Sequence, residues 1–305
     1  MDIFGIPSQA LFGQLLLGLI NGSFYALLSL GLAVIFGMLN IINFSHGAQY
    51  MMGAFVAYFL LNGIPIPGMA QPIKLGLNYW WALLIVPFVV AAFGIIIERL
   101  FLHRLYNLDH LYGLLLTFGI ALITEGLFRN SFGSSGLPYR APPQLTGGYN
   151  LGFMFLPTYR GWVVVFSLVV CIATWFVIEK TRLGANLRAA TENPTLVRAF
   201  GINVPRMITL TYGFGVGLAG LAGVMAAPIY NVSPQMGANI IIVVFAVVVI
   251  GGMGSIMGAI VTGFALGVVE GLTKVFFPEA SNTVIFVIMA IVLLVRPAGL
   301  FGRTA

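Results

Sequence analysis

Ionised side chains are what this sequence has least of. Eight acids and fourteen bases make 7% of 305 residues, against roughly a quarter in an ordinary soluble domain. Cysteine occurs once, as Cys171 inside an apolar run, so no disulfide closes within the chain and the thiol reads as a small packing residue. Lysine occurs only at 74, 180 and 274, after Ile73, Glu179 and Thr273. A phosphate-binding P-loop needs a lysine directly after glycine, so that motif is excluded. The histidines are His46, His103 and His110, and no H-E-x-x-H pattern holds any of them. Ser255 follows Gly252-Met253-Gly254 without a G-x-S-x-G context or an evident base. No enzymatic activity, metal site or resident cofactor is expected. Residues 1–9 include Asp2 and no basic cluster, unlike a cleaved signal peptide, so the first apolar segment is expected to remain as a span.

What is present is apolar. Hydrophobic residues make up 60% of the chain, with 38 glycines and 25 phenylalanines. A soluble fold of this length could not cover such a composition with polar surface, whereas lipid accepts apolar side chains and membrane helices are rich in glycine. A crossing needs about 20 apolar residues at 1.5 Å each. On that basis the expected fold is all-α, one transmembrane domain over 1–305 with about nine helices, eight to ten being the range. The candidate segments are 10–36, 47–61, 80–97, 111–128, 161–178, 208–227, 240–250, 256–277 and 284–295. The second, seventh and ninth are short enough to be tilted, merged or re-entrant.

Basic residues in the loops orient such a chain. With the N-terminus outside, Arg99, Arg104, Lys180, Arg182, Arg188, Arg198, Arg206, Arg296 and Arg303 fall in the cytoplasm. Lys74, Arg129, Arg140, Arg160 and Lys274 fall outside, a split of nine against five among the fourteen bases. The C-terminus is then cytoplasmic. Residues 130–160, with Gly133-Ser134-Ser135-Gly136, Pro142-Pro143 and Gly147-Gly148, form an external loop. Residues 179–206 form a charged cytoplasmic loop with helical character.

Within the spans, Glu125 and Glu270 stand four residues before Arg129 and Lys274. That spacing lets opposite charges meet on one helix face, and a buried acid can instead bind a coupling ion; both readings stand. The polar stretch Asn40, Asn43, Ser45, His46 and Gln49 interrupts the apolar pattern between two spans. It is either a capped turn at the bilayer surface or a broken element beside a translocation path, where unwound backbone is tolerated. A second break, Gly251-Gly252-Met253-Gly254-Ser255-Ile256-Met257-Gly258, concentrates glycine at a hinge or a close-packed turn. Gly220 and Gly223 permit close helix approach.

The cytoplasmic loop carries Leu187, Ala190, Pro194, Val197 and Phe200 near helical spacing, with Arg188, Glu192 and Arg198 around them. Pro194 suits the start of a short amphipathic helix, and Gly201 and Pro205 mark its end. Such a helix either lies solvated on the surface or docks into a groove on a partner. Together with Asn21-Gly22-Ser23-Phe24-Tyr25-Ala26-Leu27, Ile41-Ile42-Asn43-Phe44-Ser45-His46-Gly47, Gly251-Gly252-Met253-Gly254-Ser255 and Arg296-Pro297-Ala298-Gly299-Leu300-Phe301-Gly302, the chain resembles the permease subunit of branched-chain amino acid ABC importers over nearly its whole length. The resemblance implies a second permease, a paralogue or another copy, two cytosolic ATPase subunits that bind the ATP, and a periplasmic substrate-binding protein. It implies a bacterial inner membrane and no nucleic-acid partner. Related systems take urea, short amides or aromatic acids, and a stand-alone secondary transporter is the other alternative. The resemblance makes 188–201 the coupling helix. Arg188, Glu192, Asn193, Arg198 and Gly201 would then face the ATPase, with Glu192-Asn193-Pro194 in place of the commoner Glu-Ala-Ala. Asn40, Asn43, His46 and Gln49 would line the path.

Overall fold

The computed structural model describes residues 2–3, 6–39, 41–64, 72–106, 108–152 and 154–302. Among them helices dominate: α1 (Ser8–Leu39), α2 (Ser45–Asn62), α3 (Tyr79–Leu100), α4 (His110–Phe132), α5 (Thr158–Lys180), α6 (Arg182–Glu192), α7 (Pro194–Ala199), α8 (Val204–Tyr230), α9 (Met236–Gly251), α10 (Ile256–Phe276) and α11 (Val284–Val295). Strand pairing among the described residues is limited to two short antiparallel ribbons, Asp2–Ile3 with Ile6–Pro7 and Gly148–Asn150 with Phe155–Pro157, and two isolated bridges. The second ribbon lies in the expected external loop.

Each predicted apolar segment is covered by a helix. Six are long and apolar enough to cross a membrane by length and composition: Ser8–Gly37, Tyr79–Arg104, His110–Phe132, Thr158–Lys180, Val204–Tyr230 and Ile256–Phe276. α9 and α11 are apolar but only 16 and 12 residues long. α2 has 18 residues, with Ser45, His46 and Gln49 in its first turns. Several helix starts carry side-chain caps, which satisfy amides that lack an intrahelical acceptor. Asn78 accepts from Trp80 N at 3.1 Å and Asp109 from Leu111 N at 2.9 Å. Asn203 accepts from Arg206 N at 3.1 Å and Ser255 from Gly258 N at 3.1 Å.

The chain folds as two compact units, interleaved in sequence. The first comprises 1–33, 143–177 and 242–305; the second comprises 34–142 and 178–241. In the first, α1 and α10 pack backbone to backbone. A Cβ on Gly267 would fall 2.3 Å from Gly22 Cα, and one on Gly271 2.3 Å from Gln14 O. Glycines at 263, 267 and 271 thus form a face that lets two helices touch along their main chains. Beside it, Ala246, Val247, Ile250, Leu266 and Ile285 form an apolar core.

In the second unit α8 packs tightly against both α2 and α3. A Cβ on Gly223 would lie 2.1 Å from Tyr50 O, and one on Gly53 2.4 Å from Gly220 O. Towards α3, Cβ atoms at Gly94 and Gly220 would lie within 3 Å of Val216 and Val90 side chains respectively. The expected close approach at Gly220 and Gly223 therefore has definite partners, α2 for both and α3 as well for Gly220.

Candidate functional site

The polar break between α1 and α2 is anchored in the second unit. Thr117 Oγ1 on α4 accepts from Phe44 N at 3.2 Å and donates to Ile42 O at 3.2 Å or to Leu114 O at 3.0 Å. Asn40 lies outside the described residues. Asn43, Ser45, His46 and Gln49 are all buried. Ser45 Oγ donates to Asn43 Oδ1 at 2.5 Å, Asn43 Nδ2 to Gln49 Oε1 at 3.3 Å, and Gln49 Nε2 to Ser45 Oγ at 3.2 Å. Gln49 Nε2 also lies 3.5 Å from the Tyr212 hydroxyl on α8. His46 N donates to Asn43 O at 3.2 Å, inside the same turn. Asn43 and Gln49 thus share one network, and His46 joins it through the backbone. Polar groups buried in protein at this density need such partners. Tyr212 lies outside the sequence-derived set, although a tyrosine in the glycine-rich stretch of α8 was the available signal.

The loop between α5 and α8 differs from the single helix expected over 188–201. Two helices form, α6 and α7, divided at Asn193, whose backbone is extended at φ −146° and ψ 87°. Pro194 disfavours helical backbone at the residue before it and offers no N–H to continue α6. It sits instead at the start of α7, where Asn193 Oδ1 accepts from Leu196 N at 2.9 Å. Gly201 has φ +80°, a left-handed conformation glycine adopts at little cost, and it turns the chain from α7 into α8.

The five residues assigned to an ATPase contact do not share one environment. Glu192, Asn193, Arg198 and Gly201 are exposed. Arg188 turns back: its Nη1 donates to Ile178 O at 2.7 Å and to Glu179 Oε2 at 3.3 Å. It therefore serves a carbonyl in the last turn of α5, a helix end that favours positive charge. Gly184 allows this closure, since a Cβ there would overlap Ile178 O at 1.6 Å. The inner side of the loop is apolar, with Ala190, Val197 and Val204 buried together and Ile202, Met207 and Ile208 against them. The outer side exposes Leu183, Leu196 and Phe200, Phe200 by 76%. Leu196 and Phe200 are four apart, on one side of the chain turn, and sequence periodicity grouped Phe200 with Val197 instead.

Three acidic side chains complete the chemistry. In the first unit Glu270 accepts from Lys274 Nζ at 2.5 Å and from the Tyr25 hydroxyl at 2.6 Å; in the second, Glu125 on α4 pairs with Arg129. Both expected i, i+4 pairs form, and Tyr25 is a partner that spacing could not show. In the second unit Glu98 is buried at the end of α3 and accepts from the Tyr106 hydroxyl at 2.5 Å and Thr209 Oγ1 at 2.9 Å. Burial, and then the bond to Glu98, push the Tyr106 hydroxyl far above the ordinary tyrosine range, so it stays a donor. The break at 251–258 is a tight turn in the first unit, with Gly252 at φ +100° and Gly254 at φ +83°. A Cβ on Gly258 would lie 2.2 Å from Gly251 O. The C-terminal segment clasps this turn: Leu300 N donates to Ile250 O at 2.8 Å and Phe301 N to Gly251 O at 3.1 Å. Two of the separate motifs noted in the sequence therefore meet in one place.

Apolar helices of membrane-crossing length, with polar side chains buried among them, mark a multi-pass membrane protein. Residues 14–293 match the family model described as the branched-chain amino acid transport system / permease component, and the chain belongs to that family. It is 30% identical over 95% of both chains to the high-affinity branched-chain amino acid transport system permease protein LivH of Escherichia coli K12. It is 32% identical, over 95% of both chains, to the permease protein BraD of Pseudomonas aeruginosa. The permease protein LivM of E. coli K12 is 28% identical over 92% of this chain and 68% of its own. No solved structure matches the chain.

Proposed function

We propose that this protein is the transmembrane subunit of an ATP-binding-cassette importer for branched-chain amino acids in a bacterial inner membrane. The observation that carries the coupling role is the exposed apolar face of the α6–α7 loop. Leu183, Leu196 and Phe200 are exposed in a segment whose Ala190 and Val197 are buried, and exposed apolar side chains of this size suit a docking surface. Its partner is a groove on a cytosolic ATPase, with Glu192 and Arg198 at the polar rim. The motif-free chain hydrolyses no ATP; two ATPase subunits supply that step, and a periplasmic protein delivers substrate. Likeness to both LivH and LivM supports pairing with a second, related permease.

In this reading the N-terminus is outside and the C-terminus cytoplasmic, with nine crossings that include α2, α9 and α11. Residues 1–305 act as one permease domain, with 179–206 as the coupling loop and 130–160 as the external loop. Closure of the ATPases draws α7 with them; the motion passes into α8, against which Asn43, Ser45 and Gln49 are held through Tyr212. Asn40, Asn43, His46 and Gln49 lie beside the path, and Gly251, Gly252, Gly254 and Gly258 fix the α9–α10 turn during the change.

The test is ATP hydrolysis by the assembled complex in proteoliposomes, with leucine-loaded or empty binding protein outside. Hydrolysis is expected to rise with the loaded protein, and Glu192→Lys or Gly201→Arg should abolish that rise while the ATPases still co-purify. Stimulation identical in both variants and wild type contradicts the coupling assignment. Replacing Asn40, Asn43 and His46 together with Ala should lower leucine uptake; unchanged uptake removes them from the path.

A further inference from the structure

A buried carboxylate is costly unless its oxygens are served. Glu98, in the last turn of α3, is only 1% exposed, and among the described residues no basic side chain pairs with it. Its oxygens are divided between two hydroxyls, Oε1 with Tyr106 and Oε2 with Thr209. Tyr106 belongs to the turn after α3 and Thr209 to the second turn of α8. The carboxylate therefore joins three pieces of chain.

What gives the junction its interest is where it falls along α8. Val204, Met207 and Ile208 root the α6–α7 loop onto the start of the helix. Thr209 follows at once. Tyr212, three residues on and so on the same face, meets Gln49 of the buried polar cluster. The loop anchor, the Glu98 contact and the contact to the polar cluster thus succeed one another within nine residues. The Thr209 hydroxyl has a second acceptor, Pro205 O, at 3.1 Å. Its single proton serves one acceptor at a time, so Glu98 and Pro205 O compete for it.

We propose that Glu98 is a positioning residue for transport. Its carboxylate holds the base of α8 to α3 and to the following turn, so that displacement of the loop reaches Tyr212 and Gln49 as movement of α8 rather than as fraying of its first turns. This rests on the reading of α6–α7 as the coupling loop.

The experiment uses the whole importer in proteoliposomes and measures leucine imported per ATP hydrolysed, normalised to assembled complex. Glu98→Ala and Thr209→Val are expected to lower that ratio roughly tenfold, the usual scale of a coupling free energy. Glu98→Gln should stay within about twofold, because its amide keeps an acceptor for Tyr106 and a donor for Thr209. A purely structural role would reduce the amount of complex and leave the ratio alone, and that result overturns the proposal, as does a wild-type ratio in Glu98→Ala. Should Glu98→Ala fail to assemble, Thr209→Val decides, since it removes one hydroxyl at nearly constant volume. A wild-type complex that imports no leucine refutes the parent reading instead, and shows this before any variant is compared.

Discussion

Removing the Phe200 ring tests the division of the α6–α7 loop into a buried and an exposed side. Phe200 is 76% exposed, so its side chain contributes little to the fold of the free chain. A phenylalanine presents on the order of 200 Å2, which leaves about 150 Å2 for a partner to cover. At roughly 25 cal/mol per Å2 that area is worth at most about 4 kcal/mol on docking. Ordering costs reduce the figure, and about 2 kcal/mol is the scale of an interface anchor. Phe200→Ala should therefore weaken ATPase binding about 30-fold, since each 1.4 kcal/mol is tenfold, and change the melting temperature of the isolated chain hardly at all. Val197→Ala is the control, because Val197 is buried beneath the loop and its loss should lower stability by about 1–3 kcal/mol. Titration of detergent-solubilised protein with purified ATPase, together with thermal melts, reads both quantities. Unchanged affinity in Phe200→Ala, or a melt lowered as far as that of Val197→Ala, refutes the assignment of the outer face.

Other outcomes follow from the packing. Gly223→Leu and Gly267→Leu each force a side chain onto main-chain atoms that already lie within 2.5 Å of a Cβ position; both should cut the yield of folded protein in detergent severalfold, whereas Gly126→Leu, with open space beside it, should not. Arg188→Ala removes a charged hydrogen bond to Ile178 O and an exposed ion pair. It should loosen α6 by about 1 kcal/mol, mostly through the lost hydrogen bond, seen as faster amide exchange in 182–192 with ATPase affinity little altered.

Periodicity and composition located the helices well because lipid-facing and core positions are both apolar, so long runs stand out against a polar background. Boundaries moved where caps rather than hydropathy decide them: α8 starts at Val204 because Asn203 caps it, although its strongly apolar stretch begins later. In the cytoplasmic loop the single helix over 188–201 came from the resemblance and is split at Asn193, whereas Pro194, read from the residues as a helix start, does begin α7 because proline suits a first turn and disfavours helix before it. Among the site residues, the i, i+4 pairs Glu125–Arg129 and Glu270–Lys274 were legible because both partners share a helix. Glu98, Tyr106 and Thr209 were not, because their meeting depends on α3 and α8 being packed through Gly94, Gly213 and Gly220. The polar residues at 43–49 could be singled out as a group, but only the fold shows Tyr212 closing it.

The central claim is that this chain moves branched-chain amino acids only as part of an ATP-driven assembly. Labelled leucine uptake into vesicles carrying the chain, with and without the second permease, the ATPases and the binding protein, tests it most directly. The account predicts uptake that requires every partner and ATP and persists when a protonophore abolishes the proton gradient. Uptake by the chain alone, collapsed by the protonophore, would contradict it and turn attention to Glu270 and Glu125.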